Sequence, residues 1–120
     1  MKNRINFISH QGKKVLLVDC SNCSPEQLEQ FAQLVPPHVT AEPRGSVLLL
    51  ADFTGAKMDK KSLDRLKPAL VFDRPHLKRS AWVGADSLPR VFYEHLRSFS
   101  QRELPTFKTR EEALDWLVAD

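Results

Sequence analysis

Glycine is scarce in this chain, with four residues in 120. A loop that cradles phosphate on backbone N–H groups needs several glycines close together. No Walker loop, dinucleotide fingerprint or nucleophile elbow is present. Cysteine is scarcer still. Cys20 and Cys23 alone cannot build a disulfide framework, which fits a reducing compartment. Long apolar runs are also missing: the longest is Val47 to Ala51, whereas a helix that spans a bilayer needs roughly 20 such residues. The start, Met1-Lys2-Asn3-Arg4-Ile5, is basic but has no apolar segment behind it, so no signal peptide is read. The expectation is a cytoplasmic protein without a membrane span.

The remaining composition is that of a folded domain, 42% hydrophobic and 28% charged, near the averages for globular chains. A chain of this length can bury one adequate core, so residues 1–120 are read as a single domain. The net charge is only +3, but it is unevenly placed. Residues 57–79 hold eight bases and three acids, a local +5 against −2 for the remainder. That is either a basic face or a solvated helix surface.

Ile5 and Phe7 alternate with polar residues, Gln11-Gly12 forms a turn, and Val15 to Val18 follows, which reads as a β-hairpin with a buried second strand. Ser24-Pro25-Glu26-Gln27 is a capping box with proline at the first helical position. Leu28, Phe31, Ala32 and Val35 then share a helix face, and Pro36-Pro37 is expected to end the helix. Val47 to Leu50, apolar on both faces, reads as a central strand. Asp59 caps the next helix, with Leu63, Leu66 and Leu70 inward and Pro68 expected to kink or end it. Arg74 to Arg79 reads as a basic loop, and Ala81 to Gly84 as a third apolar strand. A helix begins near Ser87 with the stripe Leu88, Val91, Phe92, Leu96 and Phe99. Thr106-Phe107 is a short last strand, and Thr109 to Glu112 caps a final helix whose Ala113, Leu114, Leu117 and Val118 face inward. Helices and strands alternate after the hairpin, which predicts an α/β domain with a mixed β-sheet and packed helices.

Cys20-Ser21-Asn22-Cys23 lies between a strand and a helix, as a redox Cys-x-x-Cys does. The capping box starts the helix at Ser24, however, so both thiols precede its first turn. A closed zinc site would need distant histidines, and His10, His38, His76 and His95 share no ligand spacing. Two partly buried structural thiols are expected, with thiol-redox chemistry as an alternative. His95, three residues from Phe92 and four from Phe99, falls on or beside the apolar stripe and is expected to be a packed or edge histidine. Asp19 and Asp52 both end strands and can share one end of the sheet, where α/β domains often place ligands. They also suit turns and caps. The aromatics fall mostly on core stripes, which argues against nucleic-acid binding.

The stretch from Val47 to Asp59 resembles the middle of a STAS domain, where an apolar strand ends in an Asp-Leu-Ser/Thr-Gly-like turn, here Asp52-Phe53-Thr54-Gly55, and a link leads to an Asp at a helix start. The strand ending near Asp19, the strand Ala81-Trp82-Val83-Gly84 and the closing Glu111-Glu112-Ala113-Leu114-Asp115-Trp116-Leu117 are similar to the bacterial SpoIIAA-like subset. The resemblance implies a mixed sheet with helices packed on it. It also implies partners that are proteins, nucleotides or, in a related fold, lipids. Switching members carry a phosphoacceptor serine in Asp-Ser-Ser-Gly. Here Asp59-Lys60-Lys61-Ser62 stands instead, and Lys61 occupies the acceptor position.

The expectation is therefore a non-enzymatic binding or regulatory module acting through protein contacts without the phosphoserine switch, its partner-binding residues being Asp52, Thr54, Gly55, Asp59, Lys60, Lys61 and Ser62. The alternative is a binder of an anionic small ligand, a nucleotide or lipid. No catalytic residue, metal or cofactor is assigned, and a homodimer is compatible with the sequence.

Overall fold

The structure, a computed structural model, describes residues 3–101 and 103–119. In chain order the elements are β1 (Ile5–His10), β2 (Lys13–Asp19), α1 (Pro25–Thr40), β3 (Val47–Asp52), α2 (Lys60–Asp73), β4 (Leu77–Val83), α3 (Arg90–Ser100), β5 (Thr106–Phe107) and α4 (Arg110–Val118). The sheet runs β1-β2-β3-β4-β5. β1 and β2 are antiparallel, and every later pairing is parallel. The hairpin turns at Gln11 and Gly12, both left-handed, the geometry a two-residue turn needs to match strand twist.

Two apolar clusters lie on opposite sides of the sheet. Leu16, Leu49 and Trp82 pack with Phe31 of α1, Leu63 of α2 and Leu96 of α3. Val15, Leu48, Leu50, Ala81 and Val83 pack with Ala113, Leu117 and Val118 of α4. The alternation along β3 sends Leu49 and Leu48 to opposite clusters, and this is why the strand is apolar throughout. All three crossover helices lie on one face, so the strand order never reverses and the sheet has no topological switch point.

α4 has nine residues, too few to be stable alone, and it is fastened at both ends. At its carboxyl end Arg79 Nη1 donates to Trp116 O at 2.9 Å and Ala119 O at 2.8 Å. Lys13 Nζ donates to Val118 O at 2.9 Å, and His10 Nε2 lies 2.8 Å from Asp115 Oδ1.

Several sequence expectations are corrected. α1 continues through Pro36-Pro37 to Thr40, with Val39 fully buried. The carbonyls of Ala32 and Gln33 lose their usual donors, while Thr40 Oγ1 donates to Pro36 O at 2.9 Å. Packing at Val35 and Val39 outweighs the proline penalty. α2 likewise runs through Pro68, because Leu63, Ala69 and Leu70 hold both halves against the core. Arg74 to Arg79 is not a loop: Arg74–His76 is a 3-10 turn, and β4 already begins at Leu77. α3 starts at Arg90 after a 3-10 turn at Ala85–Ser87. Of its expected stripe, Val91 and Phe99 are exposed, as are His95 and, on α2, Phe72. Leu96 and Ser100 are the buried positions.

Asp73, at the end of α2, is 4% exposed and lines a cavity of about 70 Å³ otherwise walled by apolar side chains such as Phe31, Leu49 and Trp82, together with Cys20. Its Oδ1 has no hydrogen-bond partner among the described residues. Burial pushes the carboxyl from 3.8 up to about 7. Between those values the folded state holds a proton that the unfolded state has released, so stability falls as pH rises from about 4 to 7 and then levels. Asp73→Asn is expected to stabilise the domain by about 2–4 kcal/mol at pH 8 and by little at pH 4. Urea titrations at both pH values measure this, and an equal effect at the two would refute it.

Candidate functional site

β2 and β3 end side by side, with Asp19 opposite Asp52. Both carboxylates close local turns. Asp19 Oδ1 accepts from Ser21 N at 3.0 Å, and Asp52 Oδ1 accepts from Thr54 N at 2.9 Å. Arg110, the first residue of α4, reaches across both. Its Nη2 is 3.1 Å from Asp19 Oδ1 and its Nε donates to Asp52 Oδ2 at 2.7 Å. Asp52 is 5% exposed. A carboxylate removed from water in this way requires a cation and hydrogen bonds, and it has both. Partial burial pulls the Asp19 carboxyl upward, but its bonds to Ser21 and the Arg110 charge outweigh that and hold it below the usual value. Desolvation works against the Arg110 charge, and the bond and charge of Asp52 more than offset it, so the guanidinium is held more firmly protonated.

The loops beyond these strands lock together. Cys20 N donates to Asp52 O at 2.8 Å and Asn22 N to Thr54 O at 2.8 Å. Gly55 has φ 71°, and a Cβ there would overlap the Asn22 side chain. Gly84, at φ 68°, packs so closely on Thr54 that a Cβ would overlap its backbone. Gly55 N donates to Ser87 Oγ at 2.8 Å, and Lys57 N to Cys23 O at 2.9 Å. Beside Thr54 lies a groove of about 580 Å³, lined by Gly84 to Ser87 and Thr106 to Lys108.

The α2 start is a reciprocal cap. Ser62 N donates to Asp59 Oδ1 at 2.8 Å, and Asp59 N donates to Ser62 Oγ at 3.0 Å. Ser62 Oγ in turn donates to Asp59 O at 3.0 Å, and the residue is 0% exposed. The Ser62 backbone and side-chain bonds hold the Asp59 carboxyl below its usual range. Lys60 Nζ, well exposed, is 3.0 Å from Asp64 Oδ2 one turn on, and Lys61 is exposed. The expected residues thus fall into three settings. Asp52 is a buried member of the bracket. Thr54 and Gly55 form an exposed loop tip. Asp59 and Ser62 cap α2, with Lys60 and Lys61 projecting beside them. Arg110 was not anticipated. A base at the first position of a helix opposes the helix dipole, and that misplacement was the available signal that it serves an acid elsewhere.

Cys20 and Cys23 are both free. They are fully rather than partly buried, at 2% and 1% exposure. Burial pushes the Cys20 thiol well up, with Cys23 and Asp19 adding to the shift. Burial also raises Cys23, against the opposing charge of Arg4, whose Nη1 sits 3.0 Å from Cys23 Sγ. Reactive cysteines have lowered pKa values and access to solvent. No cluster of three or more His, Cys, Asp or Glu suited to a metal occurs among the described residues. No described helix is long and apolar enough to cross a membrane.

The SpoIIAA-like family model matches residues 21–118, so the chain belongs to the SpoIIAA-like family. Domains of this STAS type are generally regulatory or protein-interaction modules and typically non-catalytic. The fold is similar to that of an uncharacterised protein of the DUF3478 family, with a SpoIIAA-like fold, from Shewanella loihica PV-4. The identity is 18% and the TM-score 0.70, covering 94% of this chain and 91% of that one. A comparison with curated proteins found no match.

The thiol geometry gives a direct expectation. A disulfide-exchange reagent should label Cys20 and Cys23 in the native protein at least ~100-fold more slowly than in denaturant, because labelling waits on local opening. Labelling of either native thiol at the free-thiol rate would contradict the burial described.

Proposed function

We propose that this domain is a non-enzymatic regulatory module that acts through protein contacts and lacks the phosphoserine switch. One observation carries the reading. The Ser62 hydroxyl, next to the Lys61 that the family resemblance sets at the acceptor position, is fully buried and committed to Asp59 by hydrogen bonds in both directions. A kinase could reach Ser62 only after α2 had lost its cap, a structural loss of about 1 kcal/mol before any phosphate is added.

In place of a phosphate-bearing surface, the module offers cations. Lys57, Lys60 and Lys61 are exposed and follow the Thr54-Gly55 tip in the chain, Lys60 pairs with Asp64 one turn on, and α2 has no acid in its first turn. The positive end of the helix dipole adds to their charge. The partner surface for this face is therefore acidic. The bracket formed by Asp19, Arg110 and Asp52 keeps the loop tip in place without a ligand, so binding requires little ordering.

A second reading, an anionic small-molecule binder, is favoured by the groove beside Thr54, which carries Lys108 and the hydroxyls of Ser87 and Thr106. Native mass spectrometry of the purified protein separates the two readings, since a retained ligand would support the second and displace the first.

The Lys60→Glu, Lys61→Glu double variant should fold normally. It should weaken partner capture at least tenfold, and the wild-type affinity should fall as salt rises. Unchanged binding by the double variant, or stoichiometric phosphorylation of Ser62 that releases the partner, would overturn the proposal.

A further inference from the structure

The open edge of β1 carries an inference independent of the α2 surface. The two-residue turn makes His10 and Lys13 the closing pair of the hairpin. Antiparallel pairs alternate between hydrogen-bonded and non-bonded, and Asp19 N donates to Arg4 O at 2.8 Å. The pairs His10–Lys13, Ile8–Val15, Asn6–Leu17 and Arg4–Asp19 are therefore the bonded ones. It follows that the N–H and C=O groups of Ile5, Phe7 and Ser9 point away from β2, along the edge of the sheet. No backbone bond from another described element reaches them.

Exposed edges are usually blunted by charge, proline, a bulge or brevity. The opposite edge, β5, has two residues and is followed by Lys108. β1 has six residues, Ile-Asn-Phe-Ile-Ser-His, with no Lys, Arg, Asp, Glu or Pro, and its register against β2 is unbroken. Its one titratable side chain, His10, faces Asp115 of α4.

The strand is also complementary to itself. An antiparallel copy centred on Phe7 sets Phe7 opposite Phe7 and Ile5 opposite Ser9, so all the outward groups of Ile5, Phe7 and Ser9 find partners, six hydrogen bonds in all by the alternation rule. Asn6 then faces Ile8 on the α4 side. The two Phe7 rings meet on the α1 side, each under its own Lys14, whose Nζ is 4.1 Å from the ring centroid. Lys14 is already paired with Glu42 at 2.8 Å, so no unneutralised like charges meet at the dyad. A symmetric interface of this kind closes on itself as a dimer.

We propose that two copies of this chain associate through β1, joining their sheets into one ten-stranded sheet with a twofold axis at Phe7. Sedimentation equilibrium on the full chain should give twice the mass of the chain in the micromolar range. Amide hydrogen exchange should find Phe7 and Ser9 protected along with Asn6 and Ile8. Ser9→Pro removes one edge-facing N–H that the intramolecular ladder does not use. It should leave the far-UV spectrum unchanged, raise the dimer dissociation constant at least tenfold and free the Phe7 amide to exchange. Ser9→Lys, which keeps the backbone donor and adds only charge, should weaken the dimer in the same direction even if the proline variant fails to fold. A protein that stays monomeric, or a dimer whose Phe7 and Ser9 amides exchange freely, would overturn the proposal.

Discussion

A buried carboxylate, Asp52, beside a half-buried one, Asp19, at the ends of adjacent parallel strands requires a cation, and Arg110 supplies it. The guanidinium joins three parts of the chain that are far apart in sequence: the end of β2, the end of β3 and the start of α4. It therefore does two jobs. It neutralises Asp52, which is buried, and it anchors the amino end of a nine-residue helix that is the only described helix on its face of the sheet. Arg79 and Lys13 hold the other end of α4. The apolar contacts of Ala113, Leu117 and Val118 supply the burial, and the two polar fastenings set where that burial takes place.

The same bracket determines what the carboxyl end of the sheet can do. Asp19 and Asp52 read in the sequence as strand-end carboxylates suited to a ligand or to turns, and each spends one oxygen on its own turn and faces Arg110 as well. They form a frame and not a free reactive pair. Because all three crossovers lie on one face, the described sheet has no reversal in winding, the place where nucleotide-binding folds form their crevice, and the groove at this end lies beside Thr54 instead. The proposed recognition surface lies beyond this frame, at the exposed Thr54-Gly55 tip and the exposed lysines at the start of α2.

Much of the architecture was legible in the sequence because it is written in local chemistry. Gln11-Gly12 specifies the hairpin, Ser24-Pro25-x-Gln27 the start of α1, Asp59 the start of α2 and Thr109 the start of α4. The continuous apolar run of β3 reports that both of its faces are covered. The misreadings come from tertiary packing overriding local signals. Pro36, Pro37 and Pro68 should break helices, but Val39 and Leu70 lie beyond them and are pulled inward. Val91 and Phe99 fit a helical stripe, but α3 is an outer helix that buries a narrower face than its periodicity suggests. The candidate site was half legible. The position of Asp19 and Asp52 at one sheet end follows from strand length. Their partner lies 58 residues beyond Asp52, and no periodicity links such distant positions.

A double-mutant cycle on Asp52→Asn and Arg110→Met tests this account most directly. Arg110→Met leaves a buried carboxylate without its cation, and it should cost about 2–3 kcal/mol in urea unfolding, discounted from a fully buried pair because the arginine is partly exposed. In the Asp52→Asn background the same change should cost well under half as much, a coupling of at least about 1 kcal/mol. Additive losses with no coupling would mean that the carboxyl end of the sheet is held by its apolar contacts alone and that the Arg110 bracket is not what organises it.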